Sequence, residues 1–212
     1  MTFEQRPAEN RSEIAANPIM NALVDFSHPA KTRYRVTVDD FYRMEKDGLF
    51  EGKPRVELVE VDICSIAPIG TVHASTTRAL ADFLMRHTTE CFVSVQQPIS
   101  LSDGSEPEPV IAIVRGRNHD YLDRHPSAAD CLQVIEVAQT SQGYDRQVKA
   151  PLYSAYGVVK YWLVDTAANT VTVFRDPVDA RYRYSVEHPS TTTIQPLDGT
   201  LSPVNVVACI NA

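Results

Sequence analysis

The stretch from Leu132 to Tyr153, LQVIEVAQTSQGYDRQVKAPLY, constrains this chain more than any other. Val134, Ile135 and Val137 form a short apolar run of the kind that makes a buried strand, yet Glu136 sits inside it without a basic neighbour. A carboxylate in that position needs a partner from elsewhere in the chain. After a polar turn, Tyr144 to Tyr156 reads as a helix, and it sets Asp145 and Lys149 four residues apart on one face. An acid on a core strand, with an acid and a lysine on the next helix, is a pattern that can hold a divalent metal and an activated water. The same residues also read as a glutamate salt-bridged inside the fold and an ordinary helix pair.

The order of elements around this stretch sets the fold class. Thr37 reads as the N-cap of a short helix, with Asp39 and Asp40 in its first turn and Gly48 ending it. Arg55–Val59 and Val61–Ala67 alternate like paired strands, joined near Glu60 by a tight connection without the usual Gly or Asn. Val72 to His87 carries the apolar spacing of a helix that packs across a sheet. Strands follow at Cys91–Val95, Pro98–Leu101, Val110–Val114 and Leu132–Val137, then the helix from Tyr144. A hairpin of Val158–Val164 and Thr170–Phe174 comes next, extended by Tyr182–Glu187. Strands clustered centrally with helices between them imply an α/β (α+β) mixed sheet flanked by helices, not a doubly wound one. Neither GxGxxG nor GxxxxGK[ST] occurs, which removes support for a nucleotide-binding fold.

Residues 1–35 carry three prolines and no periodicity, and read as a flexible amino-terminal arm. The domain spans 36–187, and 188–212 reads as a tail covering an edge. No apolar run reaches the roughly 20 residues that span a bilayer, and the amino terminus lacks a signal-peptide pattern, so no membrane association and a cytoplasmic location are expected. Cys64, Cys91, Cys131 and Cys209 have no CxxC spacing and read as reduced thiols. The net charge of −7 argues against a protein that coats nucleic acid nonspecifically. Its excess acid lies in Val36–Asp62 and Leu101–Val110, while Arg115, Arg117, His119, Arg124 and His125 make a locally basic stretch. That stretch reads either as a phosphate contact or as a solvated loop.

Several segments, in order, carry a family resemblance: Thr37-Val-Asp-Asp-Phe, Val56-Glu-Leu-Val, Ala67-Pro-Ile-Gly-Thr-Val-His73, Val95-Gln-Gln-Pro-Ile, Glu106-Pro-Glu-Pro109, Val134-Ile-Glu-Val137, Tyr144-Asp-Arg-Gln-Val-Lys149, Tyr153 and Gly157-Val-Val-Lys-Tyr-Trp-Leu-Val-Asp165. Together they resemble the Uma-two restriction-endonuclease family, a branch of the PD-(D/E)XK nuclease superfamily with a mixed sheet flanked by helices. The resemblance implies a metal-dependent DNA endonuclease using Mg²⁺ or Mn²⁺. In it Glu136 is a metal ligand, Glu57 an accessory acid near the metal, and Asp145 lies beside them. The catalytic lysine, for which the usual position holds Ala138, is Lys149 from the next helix. DNA is the implied partner, and a homodimer is expected by analogy with nucleases that cut both strands.

One departure bears on all of this. The family follows its EPxP segment with an Asp that is the principal metal carboxylate, whereas here Pro109 is followed by Val110. Glu108 lies two residues earlier on the same strand face, about 6.6 Å away at roughly 3.3 Å per residue, and would need a bulge to replace it as a metal ligand. Val110 therefore supports a second expectation, a catalytically inactive relative that binds DNA or a protein. A smaller departure is Val61, where the family usually has Gly. His73, at the start of the long helix, reads either as a contact to DNA or as a polar cap, and Trp162 reads as core or interface.

Overall fold

Thr37 opens the first helix as its residue type requires. In the computed structural model, which describes residues 34–88, 90–196 and 204–205, its hydroxyl accepts the Asp40 amide at 3.1 Å, and the Asp40 carboxylate accepts the Thr37 amide at 3.2 Å. This reciprocal capping box starts α1, Val38–Lys46. The hairpin β1 (Val56–Val59) and β2 (Asp62–Ser65) follows, turning at Glu60 and Val61 with φ of 48° and 67°. Both turn residues are thus left-handed, the geometry that Gly or Asn normally supplies. The Val61 amide donates to the Gly104 carbonyl at 2.7 Å, and a Cβ on Gly104 would meet Val61 Cγ1 at 2.7 Å. The loop before β4 is therefore interlocked with the hairpin turn.

The main sheet has six strands in the order β3-β4-β5-β6-β7-β8: Cys91–Val95, Ile111–Arg115, Cys131–Ala138, Lys160–Asp165, Thr170–Val178 and Arg181–Pro189. Only β5 and β6 are parallel; the other neighbours are antiparallel. Parallel neighbours need a crossover, and the helix α3 (142–155) between them supplies it. The long helix α2, Thr71–His87, lays Leu80 and Leu84 on one sheet face against Ile111, Ile113, Ile135 and Trp162. Tyr153 from α3 packs on the other face with Val134, Tyr161 and Leu163. With both faces covered, β5 and β6 are almost continuously buried, as their sequences lead one to expect. Trp162 is fully buried in this core.

Three expectations need correction. The Tyr144 helix is not regular: α3 runs as Gln142–Tyr144, a π-helical turn Asp145–Lys149, and Ala150–Ala155. Pro151 explains the wide turn, because it lacks an amide and its ring crowds the carbonyl four residues back. The preceding amide, Ala150, reaches five residues back to Asp145. Pro98–Leu101 is not a strand. The Ile99 and Ser100 amides are taken by the loop carbonyls of Pro107 and Pro126, leaving one isolated bridge at Ser100. The strand expected from Tyr182 is longer, because it pairs with β7 along its whole length.

A two-stranded ribbon, β9 (Thr193–Ile194) with β10 (Val204–Asn205), adds Ile194 and Val204 to the core on the α2 side. The arm expected over 1–35, except its last two residues, lies outside the described residues, as do Cys209 and most of the segment after Pro196. Among the described residues, Cys64, Cys91 and Cys131 are free thiols. No described helix is long and apolar enough to cross a membrane.

Candidate active site

Glu136 leaves the middle of β5 on the face that α3 covers, and there it finds the partner its burial demands. Lys149, on the π-helical turn, donates to Glu136 Oε1 at 3.3 Å and to Glu57 Oε2 at 2.8 Å. Glu57 arrives from β1, which belongs to the separate hairpin. The Tyr153 hydroxyl, one turn beyond Lys149, donates to Glu136 Oε1 at 2.9 Å. Two amides of the segment leading into β4 complete the set: Glu108 N–H donates to Glu57 Oε2 at 2.9 Å, and Val110 N–H to Glu136 Oε2 at 3.1 Å. Glu57, Glu136 and Lys149 are each no more than 5% exposed, so these contacts replace nearly all of their hydration.

These groups line a cleft of about 510 Å³, together with Asp145, Arg55, Glu108, Val110 and His73. Asp145 is buried and accepts the Ser141 hydroxyl at 2.7 Å. Glu108 is ion-paired with the half-exposed Arg55. Burial raises the carboxyl of Glu136, and this outweighs the opposing pull of Lys149. Burial, and then the charge of Glu136, push Asp145 from its ordinary 3.8 to about 7. Burial disfavours charge on Lys149, but Glu136 and Glu57 together hold its ammonium above its ordinary value. The centre is therefore a buried lysinium between two carboxylates, with a third acid that titrates near neutrality.

The structure brings Glu57, Glu136, Asp145, Lys149 and Glu108 to one cleft. The expected α-helical Asp145–Lys149 pair is not among the ion pairs of the site; the wide turn lets Lys149 point to Glu136 and Glu57 instead. His73 lines the same cleft, half-buried, with burial lowering its pKa. The basic stretch behaves mostly as a structured loop. Arg124 is held by Asp130 and stacks over Tyr121, His119 is paired with Asp120, and Arg115 and Arg117 lie at the surface end of β4.

Sequence reasoning missed the Tyr153 hydroxyl and the amides of Glu108 and Val110 as partners of the acids. The position of Tyr153 four residues after Lys149, on the same helix, was the available signal for the first. Backbone donors leave no signal in residue identity.

The residues present do not fit a divalent metal of the kind the resemblance implies. A hard cation needs several carboxylate or carbonyl oxygens converging on one point. Here the oxygens of Glu136 and Glu57 converge on the Lys149 ammonium, Glu108 is paired with Arg55, and Val110 brings two methyl groups to the cleft. Among the described residues, no group of three or more His, Cys, Asp or Glu side chains is arranged to hold a metal ion.

No curated protein matches the chain. A solved structure described as a "putative nuclease belonging to DUF820", from Anabaena variabilis, is similar in fold at a TM-score of 0.67 and 15% identity, covering 83% of this chain and 98% of the other. The mixed sheet flanked by helices has the PD-(D/E)XK-like architecture. The Uma2 family model, described as "Putative restriction endonuclease", matches residues 38–203, and the chain belongs to that family.

Proposed function

We propose that this chain is a DNA-binding member of its nuclease family in which metal-dependent phosphodiester cleavage is silent. The observation that carries this reading is Val110. Its amide grips Glu136, and its side chain lines the cleft at the position where the family's principal metal carboxylate would enter. In metal-dependent nucleases the cation stabilises charge developing on the phosphate and lowers the pKa of the attacking water. This chain's own residues do something different. Lys149 supplies the single positive charge that Glu57 and Glu136 share, Tyr153 and the amides of Glu108 and Val110 fix both carboxylates, and Arg55 offers a half-exposed guanidinium at the cleft wall. Such a centre can hold a phosphate-bearing strand beside Arg55, but it lacks the oxygen set that hydrolysis needs.

A second reading, a working endonuclease using Mg²⁺ or Mn²⁺, is favoured by one observation: the Glu108 carboxylate lines the same cleft as Glu57 and Glu136. That reading makes Glu136 and Glu108 the ligands, with Glu57 accessory and Lys149 beside the water. A plasmid-nicking assay with Mg²⁺ or Mn²⁺ separates the two. The silent reading expects no cleavage by the native protein and cleavage by Val110→Asp. The active reading expects native cleavage that Glu136→Ala abolishes. DNA is the partner in both, and a homodimer, expected from the analogy with two-strand cutters, is tested by sedimentation.

A further inference from the structure

Beside the first cleft lies a second one of about 410 Å³, and Arg55 and Glu108 form the wall between them. We infer that this second cleft receives one unpaired nucleobase of a strand whose phosphate lies against Arg55. The inference rests on the DNA-binding reading above and names the form of nucleic acid it would take. Three properties of the cleft point that way.

First, its walls are flat and ring-bearing. Tyr42, Phe50, Pro54 and Pro98 line it, and Tyr42 is stacked with His125 at a centroid distance of 6.4 Å and an interplanar angle of 14°. Stacking on aromatic faces is how proteins hold single-stranded bases with little sequence demand. Second, a hydrogen-bond acceptor is buried within it. Glu106 is only 5% exposed, and its Oε1 accepts the Tyr42 hydroxyl, with His125 Nε2 4.0 Å from the same oxygen. Among the described residues none donates to its other oxygen, Oε2. A carboxylate oxygen so placed at the cleft accepts from an exocyclic amino group of a base, as in Glu or Asp contacts to cytosine N4. Third, two cations stand at the rim where a phosphate would pass, Lys53 exposed and Arg55 half-exposed, although Glu45 and Glu108 line the same cleft. Arg55 has five N–H donors, more than its pairing with Glu108 can use.

A base within a duplex cannot enter, because its pairing edge is already engaged and its faces are stacked. The cleft therefore selects a single strand or an extruded nucleotide, and favours a base bearing an amino group over thymine.

Fluorescence anisotropy in EDTA with single-stranded dC and dT 12-mers and a 12-base-pair duplex tests this. The native protein is expected to bind the dC strand about tenfold more tightly than the dT strand or the duplex, since one base contact carries about that much discrimination. Glu106→Gln replaces one acceptor by a donor and is expected to erase that preference. Tyr42→Leu, at a partly exposed position, is expected to weaken single-strand binding while thermal unfolding stays near native, so a folding defect at Glu106 would not decide the matter. Equal native affinities, a folded Glu106→Gln that keeps the dC preference, or a folded Tyr42→Leu that binds single strands as tightly as the native protein overturn the inference while leaving DNA binding intact. Failure to bind any of the three DNAs overturns the inference and the DNA-binding reading together.

Discussion

At the residue scale, Lys149 holds the site together. Removing one partner of a buried ion pair is far more costly than removing both, because the other charge is left without water or counter-charge. Lys149→Met leaves Glu57 and Glu136 facing each other and is expected to cost about 3–5 kcal/mol, read by urea unfolding. The double change Lys149→Met, Glu136→Gln should recover part of that loss, and a single-variant cost below about 1 kcal/mol would contradict the described geometry. Asp145 makes a separate prediction. Its folded pKa of about 7 lies above the ordinary 3.8, so between those values the folded state binds more protons than the unfolded one. Its contribution is therefore most favourable at low pH, and stability falls as pH rises from about 4 to about 7, by up to about 4 kcal/mol at roughly 1.4 kcal/mol per unit. Unfolding in EDTA across that range should show Asp145→Asn with a shallower decline than the native protein. An unchanged slope would contradict the burial of this carboxyl.

At the scale of elements, local rules settled some positions and not others. The N-cap at Thr37, the burial of β5 and the packing of α2 follow from residue type and spacing, and each is present as expected. The π-helical turn was not legible, because Pro151 is equally compatible with a helix start; only the crossover from β5 to β6 makes the helix continue through it. Pro98–Leu101 alternates like a strand, but its amides are claimed by distant loop carbonyls that residue pattern cannot reveal. The Glu60–Val61 turn lacked its usual residues, and that signal was real: Val61 sits at φ 67°, unfavourable for a β-branched residue. Val61→Gly should relieve strain of about 1–3 kcal/mol, partly offset by the greater freedom of an unfolded glycine and the lost contact at Gly104. A net gain of about 1 kcal/mol in thermal or urea unfolding is expected, and a loss would show that the Val61 contact outweighs the strain.

At the scale of the whole molecule, the fold gathers residues far apart in sequence. Glu57 comes from a hairpin outside the main sheet, Glu136 from its middle, Lys149 from the crossover helix, and Glu108 and Val110 from the segment entering β4. Glu136 announced that it needed a partner, but not that Lys149 would serve Glu57 as well, nor that main-chain amides would hold the remaining oxygens. The architecture is that of a nuclease family, while the donor set at its centre is closed around a lysine.

That contrast is tested most directly by calorimetric titration of Mn²⁺ into the native protein and into Val110→Asp. No Mn²⁺ uptake at this site is expected of the native chain, with binding by the Asp variant that Glu136→Ala removes. Native binding that is lost on Glu136→Ala would contradict that expectation.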